Sequence, residues 1–290
     1  MSLPAHKTTI LIRTTGAAAL LLALAACAGN GDQRSGDSAT RDEASPDGSL
    51  AVWTPAPGAT WQWQLQDDID TSLDVDVYDI DLFDAPQSTI DALHEDGRAV
   101  ICYFSAGSLE DGREDAGRFQ PSDAGNRLEN WPDERWLDVR SANVRAIMED
   151  RLDIAVARGC DAIEPDNVDA FQNDSGFSLT ADDQLDYNRF LASAAHARGL
   201  SVGLKNALDL VDELEPGFDW ALNEECLAYD ECGALAPFLD AGKAVFHVEY
   251  VEDADDGPGL LAAVCDDPAV AGFSTLVKTP DLGAWRLACD

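Results

Sequence analysis

Positive charge is scarce in this sequence. Lys and Arg together number 19 against 55 Asp and Glu, a formal net charge of −36, and only four are lysines: Lys7, Lys205, Lys243 and Lys278. Phosphate backbones and anionic lipid surfaces are held by clustered basic side chains, so nucleic-acid binding is excluded. Neither G-x-G-x-x-G nor G-x-x-x-x-G-K-[ST] occurs, which leaves a nucleotide site unsupported. There is no G-x-S-x-G around Ser105 or Ser108, so an α/β-hydrolase nucleophile lacks its turn. No repeat of 20–50 residues is visible.

What is present supports a folded, exported enzyme-sized domain. Apolar residues make up 46% of the 290, seven of them Trp, enough to bury a core. The N-terminus is a separate matter. Lys7 and Arg13 precede an uncharged run, Gly16–Ala26, of 11 residues. That is about half the ~20 residues of a membrane span, so residues 1–26 read as a signal peptide. Small residues directly before Cys27 resemble a bacterial lipobox, with Cys27 the lipidated first residue. Residues 27–50, rich in Gly, Asp, Ser and Thr, read as a flexible tether. The domain is expected over 51–290, on a cell-surface lipoprotein or a secreted protein whose only membrane contact is the lipid.

Six cysteines remain, an even number that suits disulfides in an oxidising compartment. Proximity in sequence pairs Cys226 with Cys232 and Cys265 with Cys289, leaving Cys102 for Cys160. A zinc site would need paired C-x-x-C or clustered His, and neither accompanies them.

Short apolar runs alternate with helical patterns, the signature of parallel strands and crossover helices. Strands are predicted over 61–66, 75–83, 99–104, 160–164, 201–205, 219–223, 244–249 and 272–277. The eight strands and some 240 residues point to an α/β fold of the (β/α)8 TIM-like barrel type, modified at its start, where no helix separates the first two strands. An open doubly wound sheet is the competing architecture.

Acidic residues collect where these strands end: Asp79, Asp81 and Asp84; Glu164, Asp166 and Asp169; Glu224 and Glu225; Glu249 beside Tyr250. In a barrel those ends surround one mouth. Crowded carboxyls there have their pKa values pushed apart, as a glycosidase acid and nucleophile require. The plainer reading is a solvated acidic rim, which is how Asp67, Asp68, Asp70, Asp74 and Asp76 are taken. Asp79, Asp81 and Asp84 have the spacing for a divalent cation. Strand alternation places Ala162, Glu164 and Asp166 on the inner face. It groups Glu224 with Trp220 and Leu222, and Glu225 with Asn223 and Ala221, without deciding which acid faces inward. His247 reads as a core residue and His94 and His196 as helix-end residues. Trp131, Trp136 and Trp285 suit either sugar stacking or packing.

At these strand ends the sequence resembles the endo-α-1,4-polygalactosaminidases, glycoside hydrolase family 114. The matching segments are YDIDLFD (78–84), VICYFSAGSLED (100–111), WLDVRS (136–141), GCDAIEPDNVDA (159–170), GLKNALD (203–209), NEECLAYDEC (223–232) and AGKAVFHVEY (241–250). The resemblance implies a TIM-like barrel that cleaves galactosamine-containing polysaccharide with no metal or organic cofactor; a monomer is expected. Carried over by motif, the catalytic pair falls on Asp166 and Glu224, with Asp166 the nucleophile and Glu224 the acid/base of a retaining reaction, or the reverse. Placing Glu224 rather than Glu225 in the mouth conflicts with strand parity unless a bulge ends that strand. Asp79, Asp81, Tyr103, Lys205, Asn206, Asn223 and Tyr250 match positions expected to line the cleft. Two other classes stand beside this one: a polysaccharide-binding lipoprotein without chemistry, and a hydrolase with metal on Asp79, Asp81 and Asp84.

Overall fold

The chain is described by a computed structural model over residues 52–289. The expected signal peptide, Cys27 and tether, and the terminal residues Ala51 and Asp290 of the expected domain, lie outside the described residues. In chain order the elements are β1 (Trp61–Gln64), β2 (Val77–Asp81), α1 (Gln87–Glu95), β3 (Ala99–Ser105), β4 (Ser108–Glu110), β5 (Ala124–Arg127), β6 (Glu134–Leu137), α2 (Ala142–Arg158), β7 (Ala162–Asp166), α3 (Ala181–His196), β8 (Ser201–Lys205) and α4 (Val211–Leu214). There follow β9 (Trp220–Glu224), α5 (Ala236–Asp240), β10 (Val245–Tyr250), α6 (Gly257–Cys265), β11 (Ser274–Lys278) and β12 (Leu287–Ala288).

Eight strands, β1-β2-β3-β7-β8-β9-β10-β11, run parallel in one curled sheet, and β12 adds antiparallel to β11. All eight fall where the sequence pattern predicts strands, and the fold is the expected modified TIM-like barrel. The seam between β11 and β1 is spanned by the C-terminal segment. Leu65 N donates to Leu282 O at 3.0 Å, Gln62 Nε2 to Ala284 O at 2.9 Å, and Trp61 Nε1 to Ser274 O on β11 at 2.9 Å. As expected, no helix joins β1 to β2.

The helices have local reasons to start and stop. Ser141 Oγ accepts from Asn143 N and Val144 N at the start of α2, and Gly159, at φ 81°, ends it. Thr180 and Asp183 form a reciprocal capping box at α3. Val144, Ile147, Met148, Leu152 and Ala155 give α2 a buried stripe of helical period. Arg151 lies in the same stripe and is fully buried, donating to both Asp115 oxygens at 2.8 Å and to Ser105 O at 2.7 Å.

Two apolar populations follow from strand alternation. Outward-facing residues such as Ile80, Cys102, Ile163, Val202 and Ala221 join the helices in the larger core. Inward-facing Trp61, Trp63, Val77, Ile101, Ala162, Trp220, Leu222, Phe246 and Leu276 fill the barrel. Gly203 is required here: a Cβ would lie 2.4 Å from the Trp220 ring. The three disulfides form as proximity suggested: Cys102–Cys160, Cys226–Cys232 and Cys265–Cys289.

One structure was not anticipated. Between β3 and α2 the chain builds a small antiparallel sheet, in the order β4-β6-β5. Its strands, SLE, AGNR and ERWL, are short and carry no alternating apolar pattern.

Candidate active site

Three neighbouring strands end in the same way. Asp166, Lys205 and Glu224 are the last residues of β7, β8 and β9. The residues after them, Asn167, Asn206 and Glu225, have φ of 61°, 46° and 61°. Left-handed backbone at a non-glycine residue is uncommon and is held in place by its surroundings. Each turn takes the chain off the sheet directly after an inward-facing charged residue.

Lys205 is the centre of the cluster. Its ammonium is buried, 2.6 Å from Glu164 Oε1, 3.3 Å from Glu224 Oε2 and 3.5 Å from Asp166 Oδ1, with its nitrogen 4.4 Å from the Trp63 ring centroid. These distances bound the Asp166 Oδ1 to Glu224 Oε2 separation at their sum, 6.8 Å. Asp166 also accepts from Tyr103 Oη at 3.1 Å and from Asn167 N at 2.7 Å. Glu224 accepts from Asn206 Nδ2 at 3.1 Å and from Tyr250 Oη at 2.5 Å. Asn206 Oδ1 in turn receives Glu224 N at 2.9 Å and Asn223 Nδ2 at 3.1 Å.

The electrostatics follow from this packing. Burial alone lowers an ammonium, but Asp166, Glu164 and Glu224 together hold Lys205 well above its usual value. Burial likewise works to raise Glu224, yet Lys205, Tyr250 and Asn206 outweigh it and hold the carboxyl below the usual range. Beneath them, burial and the adjacent Glu164 push Asp79 well above the carboxylate range. Both Asp79 oxygens lack a donor if the two acids are ionised. A proton on Asp79 turns that contact into a hydrogen bond to Glu164, which also accepts from Trp63 Nε1 at 3.1 Å. Burial, then Asp166, raises Asp169 to about 6.

Above the cluster is a cavity of about 300 Å³ lined by Trp63, Asp81, Tyr103, Asp166, Lys205, Asn206 and Glu224 from the barrel. Glu110, Arg113, Trp131, Glu134 and Trp136 from the region between β3 and α2 form its wall. Glu134, raised to about 7 by burial, receives Ser108 Oγ at 2.5 Å. Of this wall the sequence singled out only Trp131 and Trp136, as suited to sugar stacking or packing; Arg113 and Glu134 carried no signal. Trp63 was legible only as one of two alternating tryptophans in β1.

Several expectations are corrected. Alternation does not conflict with Glu224. Trp220 and Leu222 point into the barrel, so Glu224 on the same face enters the mouth without a bulge, and the β9–β10 register is regular. Glu225 turns off the strand, its N–H on Val248 O. Asp79 does not line the cleft but lies fully buried beneath it. Asn223, also buried, is not part of the central cavity's lining but lines the adjoining hollow beside Glu224 and braces Asn206. The three acids proposed for a metal do not converge: Asp81 binds Arg113 at 2.5 and 3.0 Å, Asp84 the same guanidinium at 3.0 Å, and Asp79 turns inward. Glu249 holds Leu227 N and His247 Nε2 behind the mouth. His247 is the buried, bonded core residue expected. Trp285 packs on Gly257, outside the cavity.

The sequence signature of glycoside-hydrolase family GH114 matches residues 42–290. No curated protein matches the chain. Among solved structures, that of Aspergillus fumigatus Ega3 in complex with galactosamine is similar at 46% identity, covering 82% of this chain and 98% of that one, with a TM-score of 0.79. The glycoside hydrolase domain of PelA from Pseudomonas aeruginosa, at 16% identity, covers 81% of this chain and 99% of that one with a TM-score of 0.63, a likeness of fold.

Proposed function

Because this chain belongs to glycoside-hydrolase family GH114 and is a glycoside hydrolase, we propose that it cleaves α-1,4-linked galactosamine-containing polysaccharide internally, with Asp166 and Glu224 as its catalytic pair. The observation that carries the reading is Lys205, which holds both carboxylates at the cavity floor, 3.5 and 3.3 Å away. Ega3, the similar protein, has been crystallised with galactosamine. An acidic cleft suits a chain whose free amines are protonated.

Asp166 is the nucleophile, positioned by Lys205, Tyr103 and the Asn167 amide. It attacks the anomeric carbon while Glu224, protonated against the pull of Lys205, Tyr250 and Asn206 on its ionised form, gives that proton to the departing glycosidic oxygen. Glu224 then takes a proton from the water that releases the sugar from Asp166. Retaining enzymes place their carboxyls about 5–5.5 Å apart and inverting ones about 6.5–9.5 Å. The 6.8 Å upper bound on one oxygen pair excludes most of the inverting range and is compatible with retention. The three disulfides suit an exported protein, and we place it on the cell surface, tethered through lipidated Cys27.

The test is release of reducing ends from a galactosamine polymer by the wild type, and its loss by at least ~10³-fold in Asp166→Asn and Glu224→Gln. Activity unchanged in both variants overturns the pair. Binding without release by the wild type makes the protein a polysaccharide-binding module. Proton NMR of the first-formed end should show the α-anomer, and an initial β-anomer ends the retaining mechanism.

A further inference from the structure

Past Glu224 the cleft opens into a second hollow of about 450 Å³, within the size range of small-ligand sites. It shares Asp169, Asn206 and Glu224 with the central cavity, so the two form one groove. Each end carries an exposed aromatic ring: Trp131, 57% exposed, on the central cavity, and Tyr229, 68% exposed, on the second hollow.

A single exposed aromatic means little, but the mounting of Tyr229 is unusual. It stands on the short loop closed by the Cys226–Cys232 disulfide, both of whose cysteines are buried. Tyr229 N donates to Glu225 O at 3.1 Å and Glu231 N to Cys226 O at 2.8 Å. Leu227 N donates to Glu249 Oε1 at 2.8 Å, and that carboxylate is itself held by His247 at 3.0 Å. The loop is thus stapled to the barrel on the side of β10, and the ring is displayed from a fixed base. A tyrosine displayed in this way offers a broad contact face at low entropic cost.

The chemistry around the ring is one-sided. Asp209, Glu225 and Glu231 line the hollow beside it, and among the described residues no Lys or Arg does. Burial, with Glu249 and Glu224 nearby, raises Glu225, as expected of a carboxylate crowded by like charge and short of a cation.

We infer that this hollow binds a galactosamine residue on the leaving-group side of the scissile bond, its ring face stacked on Tyr229 and its protonated amine among Asp209, Glu225 and Glu231. The inference rests on the proposed reaction, in which Glu224 protonates the oxygen that departs toward this side. It makes the disulfide loop the device that registers the chain across the catalytic pair.

Galactosamine oligosaccharides of graded length test it with the wild type, Tyr229→Ala and Tyr229→Trp. Loss of a stacking face is expected to raise KM about three- to tenfold in Tyr229→Ala on long oligomers. The penalty should shrink as the oligomer shortens, and Tyr229→Trp should restore KM. A KM in Tyr229→Ala equal to the wild type at every length overturns the subsite. If the wild type cleaves no galactosamine polymer, the proposed reaction fails instead. Calorimetric binding of a galactosamine hexamer to Asp166→Asn and to Asp166→Asn/Tyr229→Ala then decides: a three- to tenfold weaker double variant supports the subsite, and equal affinities overturn it.

Discussion

The ammonium of Lys205 and the carboxylate of Glu164 meet at 2.6 Å, with neither side chain more than 2% exposed. Such a pair gains from mutual attraction only by having overcome the desolvation of both ions. Here the attraction is supplemented, because Asp166 and Glu224 share the same cation and Trp63 donates to Glu164. Lys205 therefore fixes the spacing of the two groups assigned to catalysis.

Lys205→Met should remove that spacing and strand a buried carboxylate. Breaking one side of a buried ion pair costs about 3–5 kcal/mol, and turnover should fall by at least ~10²-fold from lost preorganisation. Chemical denaturation and reducing-end kinetics read the two effects separately. Wild-type stability in this variant would mean that Lys205 is not holding the cluster.

Tyr250→Phe should move the pH profile. Tyr250 donates to the ionised form of Glu224, one reason that carboxyl lies below the usual range. Without the donor its pKa rises. As the general acid, Glu224 must be protonated, so the alkaline limb of kcat/KM should shift to higher pH. A shift of the acidic limb instead would give Glu224 the nucleophile's role and Asp166 the acid's.

Glu134→Gln should change how stability depends on pH. Burial raises Glu134 from 4.5 to about 7 in the folded protein, whereas the unfolded chain releases that proton near the lower value. Between these values the folded state binds more protons, so this group's contribution to stability falls as pH rises through the window and then levels off. The melting temperature of Glu134→Gln should gain on the wild type from about pH 4.5 to 7 and keep that gain above it. Parallel melting curves across this range would contradict the assignment.

The three disulfides should differ in worth. Cys102–Cys160 closes 58 residues and Cys226–Cys232 only six. The chain-entropy relation gives about 4 kcal/mol for the first and about 2 kcal/mol for the second. Double Cys→Ala variants of each pair, compared by denaturant unfolding, should therefore rank in that order. The reverse order would locate the stabilisation in the folded-state contacts of the Glu224 loop.

The sequence by itself determined the eight parallel strands, because apolar runs of strand length alternate with helical stripes, and local chemistry such as the Ser141 cap and Gly159 marks where the helices begin and end. It also determined the disulfide partners, since short separations left one pairing for the remaining cysteines. Asp166 was legible from period-two alternation, with Ile163 on the outer face. Tertiary structure alone decided the rest. Trp220 points inward because Gly203 on the next strand leaves room for its ring, and that contact between strands placed Glu224 in the mouth. Asp79 and Asp81 share one strand face, yet depth in the barrel buried the first against Glu164 and left the second to Arg113. The wall of Glu110, Arg113 and Glu134 is held by contacts distant in sequence, Asp81 to Arg113 and Ser108 to Glu134 among them. Periodicity records which way a residue faces; how deep it lies, and what stands opposite, depends on neighbours that only folding brings together.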